Sequence, residues 1–216
     1  MSYATFNGWT IIPYPSAPGF VSVALGMNDT VASTTSPFTA TSQTQIWPGA
    51  DWWDADVQLP KMFPAQAAAW RAWLAALQGK ANVFMLGDPT RRQPINPVSS
   101  STPVINTSGE PSPMNIAGSS NIYTRGWRPS QARILSPGDH IQIGLRLHVV
   151  LQAVTSDARG NAAINLWPTL REQPADGAAI ILNNPMGLFR LADNARRLSL
   201  DVTRLMATGF KCVEAR

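Results

Sequence analysis

One short helical pattern between two strand-like segments most constrains the fold of this chain, in "VQLPKMFPAQAAAWRAWLAALQGKANVFMLGDP" (residues 57–89). Pro64 suits the first helical position and Gly79 is a good stop signal, which predicts a helix over residues of about 64–78. Four apolar residues recur in it at three- and four-residue spacing, namely Trp70, Trp73, Leu74 and Leu77. Two large aromatic residues on one helix face indicate packing against a sheet more often than they indicate a ligand-binding site. We therefore expect these side chains to pack in the core.

The segments on either side of the helix predict the sheet that it covers. In "WWDADVQLP" the apolar residues Trp53, Ala55 and Val57 alternate with Asp54 and Asp56, which is the pattern of a half-buried strand. After the helix, "NVFMLGDP" predicts a short apolar strand that ends in a turn. We expect both strands to belong to the sheet behind the helix, with the aspartates on its solvated face rather than in a metal site.

The rest of the chain is typical of short antiparallel strands. Alternating or β-branched runs recur along it, including "FVSVALGM", "TATSQTQIW", "HIQIG", "LRLHVV", "AAINLWP", "GLFRLA", "RRLSLDVTRL" and "TGFKCVEA". This spacing favours a mainly β fold, either a sandwich or a partly open barrel, and the last two runs should rejoin the sheet that begins before the helix. Residues 90–131 are rich in Pro, Ser, Asn and Gly and predict a loop-dominated connector. Prolines 13, 15 and 18 predict either an edge strand or a segment that lies on a neighbouring subunit.

Charge is sparse and uneven along the 216 residues. Only 14% of them are charged, and the net charge of +4 divides into −1 for residues 1–110 and +5 for residues 111–216. Fourteen of the seventeen basic residues are Arg, a residue type favoured at protein interfaces. An excess of basic residues is one sign of a nucleic-acid-binding protein. Against that interpretation, the only adjacent basic pairs in the sequence are Arg91-Arg92 and Arg196-Arg197. Dispersed surface arginines are therefore the favoured interpretation.

The sequence predicts no catalytic, cofactor-binding or metal site. His140 and His148 lie in strand-like runs without Cys or carboxylates at metal-ligand spacing, so we interpret them as ordinary strand histidines. Cys212 is the only cysteine, and its apolar alternating surroundings predict a buried, unreactive side chain. The N-terminus does not resemble a signal peptide, and no apolar run is long enough to predict a membrane span.

Two other classes of function remain open on the residues alone. A carbohydrate-binding β-module would need exposed aromatic side chains along a groove, and Trp127 and Trp167 are the candidates for such contacts. A glycan hydrolase or a peptidase would need paired carboxylates, or a histidine beside Ser or Cys, converging in a cleft. The sequence marks out no such pair, so a non-catalytic protein is expected.

The order of these motifs resembles a known family. The segment "QLPKMFPAQAAAWRAWLAALQGKANVFMLGDP" and the later stretches "SPGDHIQIG", "LHVVLQAVTSDARGNAAINLWPTLR", "DGAAIILNNPMGLFRLADN" and "FKCVEA" are similar to distal tail proteins of long-tailed bacteriophages. The resemblance covers about residue 57 to the C-terminus, and none of its motifs is a catalytic signature.

The resemblance implies a structural virion protein with a tail-tube type split β-barrel or sandwich, flanked by one helix. Residues 1–89 would form the N-terminal part of this ring-forming core, residues 90–185 a connector with an inserted β-module, and residues 186–216 the strands that rejoin the core. Such proteins form a ring, usually a hexamer, at the distal tail tip and contact the tail tube protein, the tail hub protein and in some cases a tail fibre. DNA would pass the lumen without specific binding, and assembly would take place in the host cytoplasm.

Overall fold

The computed structural model of this chain describes residues 3–96, 101–108, 115–195, 199–200, 206–207 and 209–216. Within them it has one helix, α1 (Pro64–Ala76). The strands are β1 (Thr5–Phe6), β2 (Trp9–Thr10), β3 (Ser22–Thr35), β4 (Ser42–Gln58), β5 (Phe84–Leu86), β6 (Val104–Ile105), β7 (Asn121–Arg125), β8 (His140–Ile143), β9 (Arg146–Val150), β10 (Ala162–Trp167), β11 (Ile180–Ile181), β12 (Gly187–Leu191), β13 (Ser199–Leu200), β14 (Met206–Ala207) and β15 (Gly209–Glu214).

A five-stranded antiparallel sheet combines strands from both ends of the chain, in the order β3-β4-β15-β12-β5. In its centre β15 pairs Phe210 with Val57 and Cys212 with Ala55, so these four side chains face the same core. At the β5 edge, Ile11 adds a parallel bridge to residue 83. With this sixth segment the sheet curls into a nearly closed barrel.

Helix α1 packs its apolar face onto this sheet. Trp70 and Leu77 have no exposed surface, and Trp73 and Leu74 are each 4% exposed. The Trp73 ring lies 5.1 Å from the Phe84 ring and 5.3 Å from the Phe210 ring, which belong to β5 and β15. The four side chains singled out by their spacing therefore lie in the core formed by the helix and the sheet.

The helix begins at the predicted proline and ends slightly earlier than predicted. The Phe63 N–H donates to Gln66 Oε1 at 3.2 Å, which satisfies a backbone donor just before the first turn. At the other end, Gln78 has φ of 52° and Gly79 has φ of 70°. Because two successive left-handed residues cannot continue a right-handed helix, the regular helix stops at Ala76 rather than near residue 78.

A six-stranded antiparallel sheet, in the order β11-β8-β9-β10-β7-β6, carries a second core. Its buried side chains are aliphatic apart from one indole, and they include Ile105, Ile122, Trp127, Ile134, Leu135, Ile141, Ile164 and Leu166. All strands of this sheet come from residues 104–181, between the two parts of the chain that form the five-stranded sheet.

Strand β9 joins the two cores, because every one of its residues is buried. Leu147 and Val149 pack in the core of the five-stranded sheet, whereas Val150 packs in the core of the six-stranded sheet. The absence of a side chain at Gly187 allows this contact, since a Cβ there would lie 2.8 Å from Leu147 Cβ. The two sheets are therefore packed directly on each other.

The predicted fold class, mainly β with antiparallel sheets and one flanking helix, is confirmed. Of the two C-terminal runs predicted to rejoin the five-stranded sheet, "TGFKCVEA" does so through β15 (Gly209–Glu214). From "RRLSLDVTRL" the structure describes Ser199–Leu200 alone, and this strand pairs with Met206–Ala207 as a separate two-stranded ladder.

Candidate assembly surface

The outer half of the β3–β4 hairpin extends beyond the five-stranded sheet as a two-stranded ribbon, residues 30–47. Residues 31–35 of β3 pair with residues 42–46 of β4, whereas β15 pairs with β4 only between Asp54 and Gln58. In the part of the chain that the structure describes, the ribbon therefore has no third strand. Every ribbon residue except Ser36 is exposed, on both faces.

Large apolar side chains stand on this exposed ribbon. Phe38, at the turn, is 95% exposed, and Val31 and Ile46, which lie directly opposite each other, are 47% and 66% exposed. Trp47 at the base is 47% exposed. A two-stranded hairpin that buries no side chain is only marginally stable alone in water, and exposed apolar side chains of this kind mark the ribbon as a candidate contact surface.

The edges of the ribbon lack the usual protection against pairing. Exposed strand edges are normally blunted by charged side chains, prolines, bulges or a covering segment. The eighteen residues of the ribbon include no Asp, Glu, Lys or Arg, and its one proline, Pro37, lies in the turn. Both strands therefore offer unpaired backbone groups, as well as apolar side chains, to a partner.

A bulge in β4 marks the base of the ribbon. Asp29 pairs with Asp51 but Val31 pairs with Ile46, so β4 contains extra residues between these pairs, and Gly49 among them has φ of 81°. The Gly49 N–H donates to Thr169 Oγ1 at 2.9 Å. The bulge thus turns backbone groups of β4 towards the segment that follows β10.

That segment holds the base of the ribbon through further hydrogen bonds. Trp167 Nε1–H donates to Asp29 Oδ1 at 2.8 Å, and the Thr169 N–H and hydroxyl donate to the Asp51 carboxylate at 2.6 and 2.8 Å. Trp167 at the end of β10 thus binds Asp29 of β3, and Thr169 just after β10 binds Asp51 of β4. Together these bonds fix the direction in which the ribbon leaves the body of the protein.

Beneath this contact lies a buried ion cluster of Asp51, Arg146, Arg171 and Glu214. Arg171 forms ion pairs with Asp51 at 3.2 Å and with Glu214 at 3.1 Å, and it also donates to the backbone oxygens of Gly49 and Asp51. Arg146 lies 3.8 Å from Glu214 and donates to the Ala215 oxygen. Their side chains are at most 10% exposed. The two positive and two negative charges balance, which makes their burial tolerable.

No local sequence pattern predicts this cluster. Arg171 is 120 residues from Asp51 and 43 from Glu214, so the fold alone brings the three side chains together. Asp51 precedes the alternating run that contains Asp54 and Asp56, and the sequence pattern predicts no role for it. Its actual role is to anchor the base of the ribbon.

His148 lies near the ion cluster and is fully buried. Its Nδ1 is 2.7 Å from the Pro168 carbonyl oxygen, which fixes the neutral tautomer with the proton on Nδ1. Burial is the main cause that lowers the pKa of His148 to about 4, and the positive charges of Arg171 and Arg146 lower it further. The hydrogen bond to Pro168 acts in the opposite direction but is a weaker effect than burial. The imidazole is therefore neutral in the folded protein near neutral pH.

This buried histidine predicts a loss of stability in mild acid. In the unfolded chain His148 is protonated below a pKa of about 6.5, whereas in the folded protein it stays neutral down to a pKa of about 4. Its contribution to the free energy of unfolding is therefore fully present above pH 6.5 and is lost as the pH falls towards 4. We expect the free energy of unfolding to fall by up to about 3 kcal/mol from this group between those pH values. Urea unfolding at several pH values measures it.

The control for this pH effect is His148→Asn, whose side-chain amide can still donate to the Pro168 oxygen. His140, whose pKa burial also lowers, and the carboxylates remain in that variant and keep their own pH dependence. We expect a shallower pH dependence in the variant than in the parent. Equal slopes in the two proteins would show that His148 does not titrate on unfolding.

The prediction of exposed aromatic contacts is wrong for Trp127 and unsupported by geometry for Trp167. Trp127 is 3% exposed, packs in the second core and donates from Nε1 to Thr124 Oγ1 at 2.7 Å. Trp167 is half-buried, with its ring 4.7 Å from the Trp53 ring and its N–H held by Asp29. Trp127 follows β7 and is covered by the core of the six-stranded sheet, whereas Trp167 packs against Trp53 of the other sheet, and strand alternation shows neither contact.

The other predicted residues occupy structural positions. Cys212 is 1% exposed, and burial raises the pKa of its thiol, in agreement with an unreactive side chain. No group of three or more His, Cys, Asp or Glu side chains within the described ranges is arranged to hold a metal ion. Among the same residues, no helix has the length and apolar character needed to cross a membrane.

Comparison with known proteins adds no assignment to this geometry. No family model matches the chain, and no curated protein matches it. The ribbon and its anchored base are therefore interpreted from their own contacts and chemistry.

Proposed function

We propose that this chain is a structural, non-catalytic virion protein that forms a ring at the distal end of a phage tail and joins the tail tube to the tail-tip hub or receptor-binding apparatus. The observation that carries the proposal is the ribbon of residues 30–47, which exposes apolar side chains on an uncharged, two-edged strand pair. The motif order from about residue 57 onwards, which resembles distal tail proteins, supports the tail location.

The ribbon supports a multi-subunit function on energetic grounds. Burying one side chain of the size of Phe38 contributes about 1.5–3 kcal/mol, and the ribbon exposes several apolar side chains. A free monomer would forgo this stabilisation and leave the strand edges open. Identical subunits that cover each other's ribbons around a closed ring would recover it at every interface.

The barrel and the charge pattern agree with the same function. In the proposed ring, six copies place their curled sheets around a lumen, with helix α1 packed on one side of each sheet. DNA passes this lumen without specific binding, which suits a chain whose arginines are dispersed rather than clustered. The partners would be the tail tube protein, the hub protein and, on the outer side, a tail fibre.

The first test is the mass and shape of the purified protein. We expect light scattering after size exclusion to give about six times the 23.4 kDa chain mass, and negative-stain images to show rings. A matched variant replaces residues 32–45 with Asn-Gly, a sequence that favours a two-residue hairpin turn after the Val31–Ile46 pair. We expect this variant to fold but to remain monomeric.

The second test locates the chain in assembled particles. Antibody labelling, or density matched to this fold in images of whole tails, should place it at the tail tip. A protein that stays monomeric both alone and with its neighbouring tail proteins, or that lies elsewhere in the particle, would overturn the proposal. No observation favours a carbohydrate-binding function, because its two candidate aromatic residues are packed against the protein.

A further inference from the structure

We infer that the tip of the ribbon docks into an apolar groove beside the N-terminal segment of a second copy of this chain. This inference rests on the proposed ring and names the contact that would join neighbouring subunits. Its two halves are Phe38 with the strand ends beside it, and a groove on a different part of the surface.

The groove is formed where the N-terminal segment crosses the β5 edge of the five-stranded sheet. It is open to solvent, has a volume of about 460 Å³ and is lined by Tyr3, Ala4, Ile11, Pro13, Tyr14, Met85 and Met186. Two backbone hydrogen bonds hold its wall, from the Ile11 N–H to the Ala4 oxygen and from the Ile12 N–H to the residue 83 oxygen, both at 2.8 Å. The groove is therefore a formed feature of the barrel edge.

The chemistry of groove and ribbon is matched. Neither the lining residues nor the eighteen ribbon residues include a charged side chain, in a chain with thirty charged residues in all. Aromatic residues and methionine are enriched, and charges depleted, in the centre of protein interfaces. Tyr3 and Met186 on one side and Phe38 on the other fit that composition, and no desolvated charge would oppose their contact.

The size of the ribbon also suits an interface between two copies. A stable interface uses roughly 20–30 residues and about 800 Å² on each side. The seventeen exposed residues of the ribbon supply most of one such side. A short peptide or a small ligand in the groove would leave the ribbon uncovered, so a second copy is the occupant that accounts for both exposed surfaces.

The geometry also selects the symmetry. Ribbon and groove are different surfaces, and Phe38 is 95% exposed, so it does not fill the groove of its own chain. A contact between two different surfaces is heterologous, and repetition of it produces a ring or a filament rather than a two-fold dimer. Phe38 in the next subunit's groove is therefore a contact that can repeat around the ring.

Cysteine cross-linking between copies tests this contact. The native Cys212 is buried with a raised thiol pKa, so its background reaction is low. Phe38→Cys and Ala4→Cys proteins are mixed under oxidising conditions, and a disulfide dimer containing one chain of each is expected. With both substitutions in one chain, a ladder of linked subunits is expected. Phe63→Cys, at a residue 67% exposed before helix α1, replaces Phe38→Cys as the matched control and should give no heterodimer with Ala4→Cys.

A second variant gives a readout without cysteine. Phe38→Asp places a charge at the docking tip. It should weaken the affinity between subunits at least ten-fold and leave the melting temperature of the monomer unchanged. If rings form but Phe38→Cys links only to itself, or reacts with Ala4→Cys no faster than the Phe63 control, the docking contact is overturned and the ring stands. If no ring forms in the parent protein, both the docking contact and the proposed function are overturned.

Discussion

Replacing Trp70 by Ala is expected to lower the free energy of unfolding by about 3–5 kcal/mol. Trp70 has no exposed surface, and its ring lies 5.4 Å from the Trp73 ring, 5.8 Å from Phe20 and 6.3 Å from Tyr14. Truncation removes the largest side chain between helix α1 and the segment that leads into β3. The surrounding rings are rigid, so they cannot collapse fully into the space, and a cavity remains.

Urea unfolding followed by circular dichroism measures this loss, with two controls. Phe63→Ala removes an aromatic side chain that is 67% exposed one residue before the same helix, and it should change stability by no more than about 0.5 kcal/mol. Trp70→Phe keeps most of the apolar volume, and among the described residues the Trp70 indole N–H has no hydrogen-bond partner to lose. Its cost should fall between the other two. A Trp70→Ala protein as stable as Phe63→Ala would refute the packing of helix α1 against the segment that leads into β3.

The helix and the fold class could be predicted because their signals are local. Pro64, Gly79 and the spacing of Trp70 and Trp73 lie within about four turns, and each acts on the backbone or on one helix face. Alternation in the strands likewise records which side of a sheet is buried. These patterns predict elements and their buried faces, and with them the β-rich class of the whole chain.

The assembly surface could not be predicted in the same way. The run "TATSQTQIW" predicts a strand, but strand propensity does not show that the β15 pairing stops at Asp54 and leaves the ribbon without a third strand. The anchor of its base depends on Arg171 and Glu214, which are far apart in sequence and meet only after both sheets have formed. The predicted exposure of Trp127 is wrong for the same reason, since the side chains that cover it come from other strands of the six-stranded sheet.

Replacing Arg171 by Met is expected to destabilise the protein by about 3–5 kcal/mol, because it leaves the carboxylates of Asp51 and Glu214 buried with Arg146 as their remaining cation. Met retains the length and apolar stem of the side chain, so the loss reports on the guanidinium. Arg125→Met is the matched control, since Arg125 pairs with Asp176 at 2.8 Å where the two side chains are 38% and 42% exposed. An exposed pair of this kind contributes about 0–1 kcal/mol.

A double-mutant cycle separates the ion cluster from a general effect of the substitution. Arg171→Met combined with Glu214→Gln removes one charge of each sign, so the double variant should be less destabilised than the sum of the two single variants. Arg171→Lys keeps the charge but not the planar fork that reaches Gly49, Asp51 and Glu214 together, and we expect an intermediate cost. Because Arg171 also holds the bulge at the base of the ribbon, Arg171→Lys should weaken the oligomer more than Arg125→Met does. Equal stability and equal assembly of the Arg171 and Arg125 variants would show that the cluster neither supports the fold nor directs the ribbon.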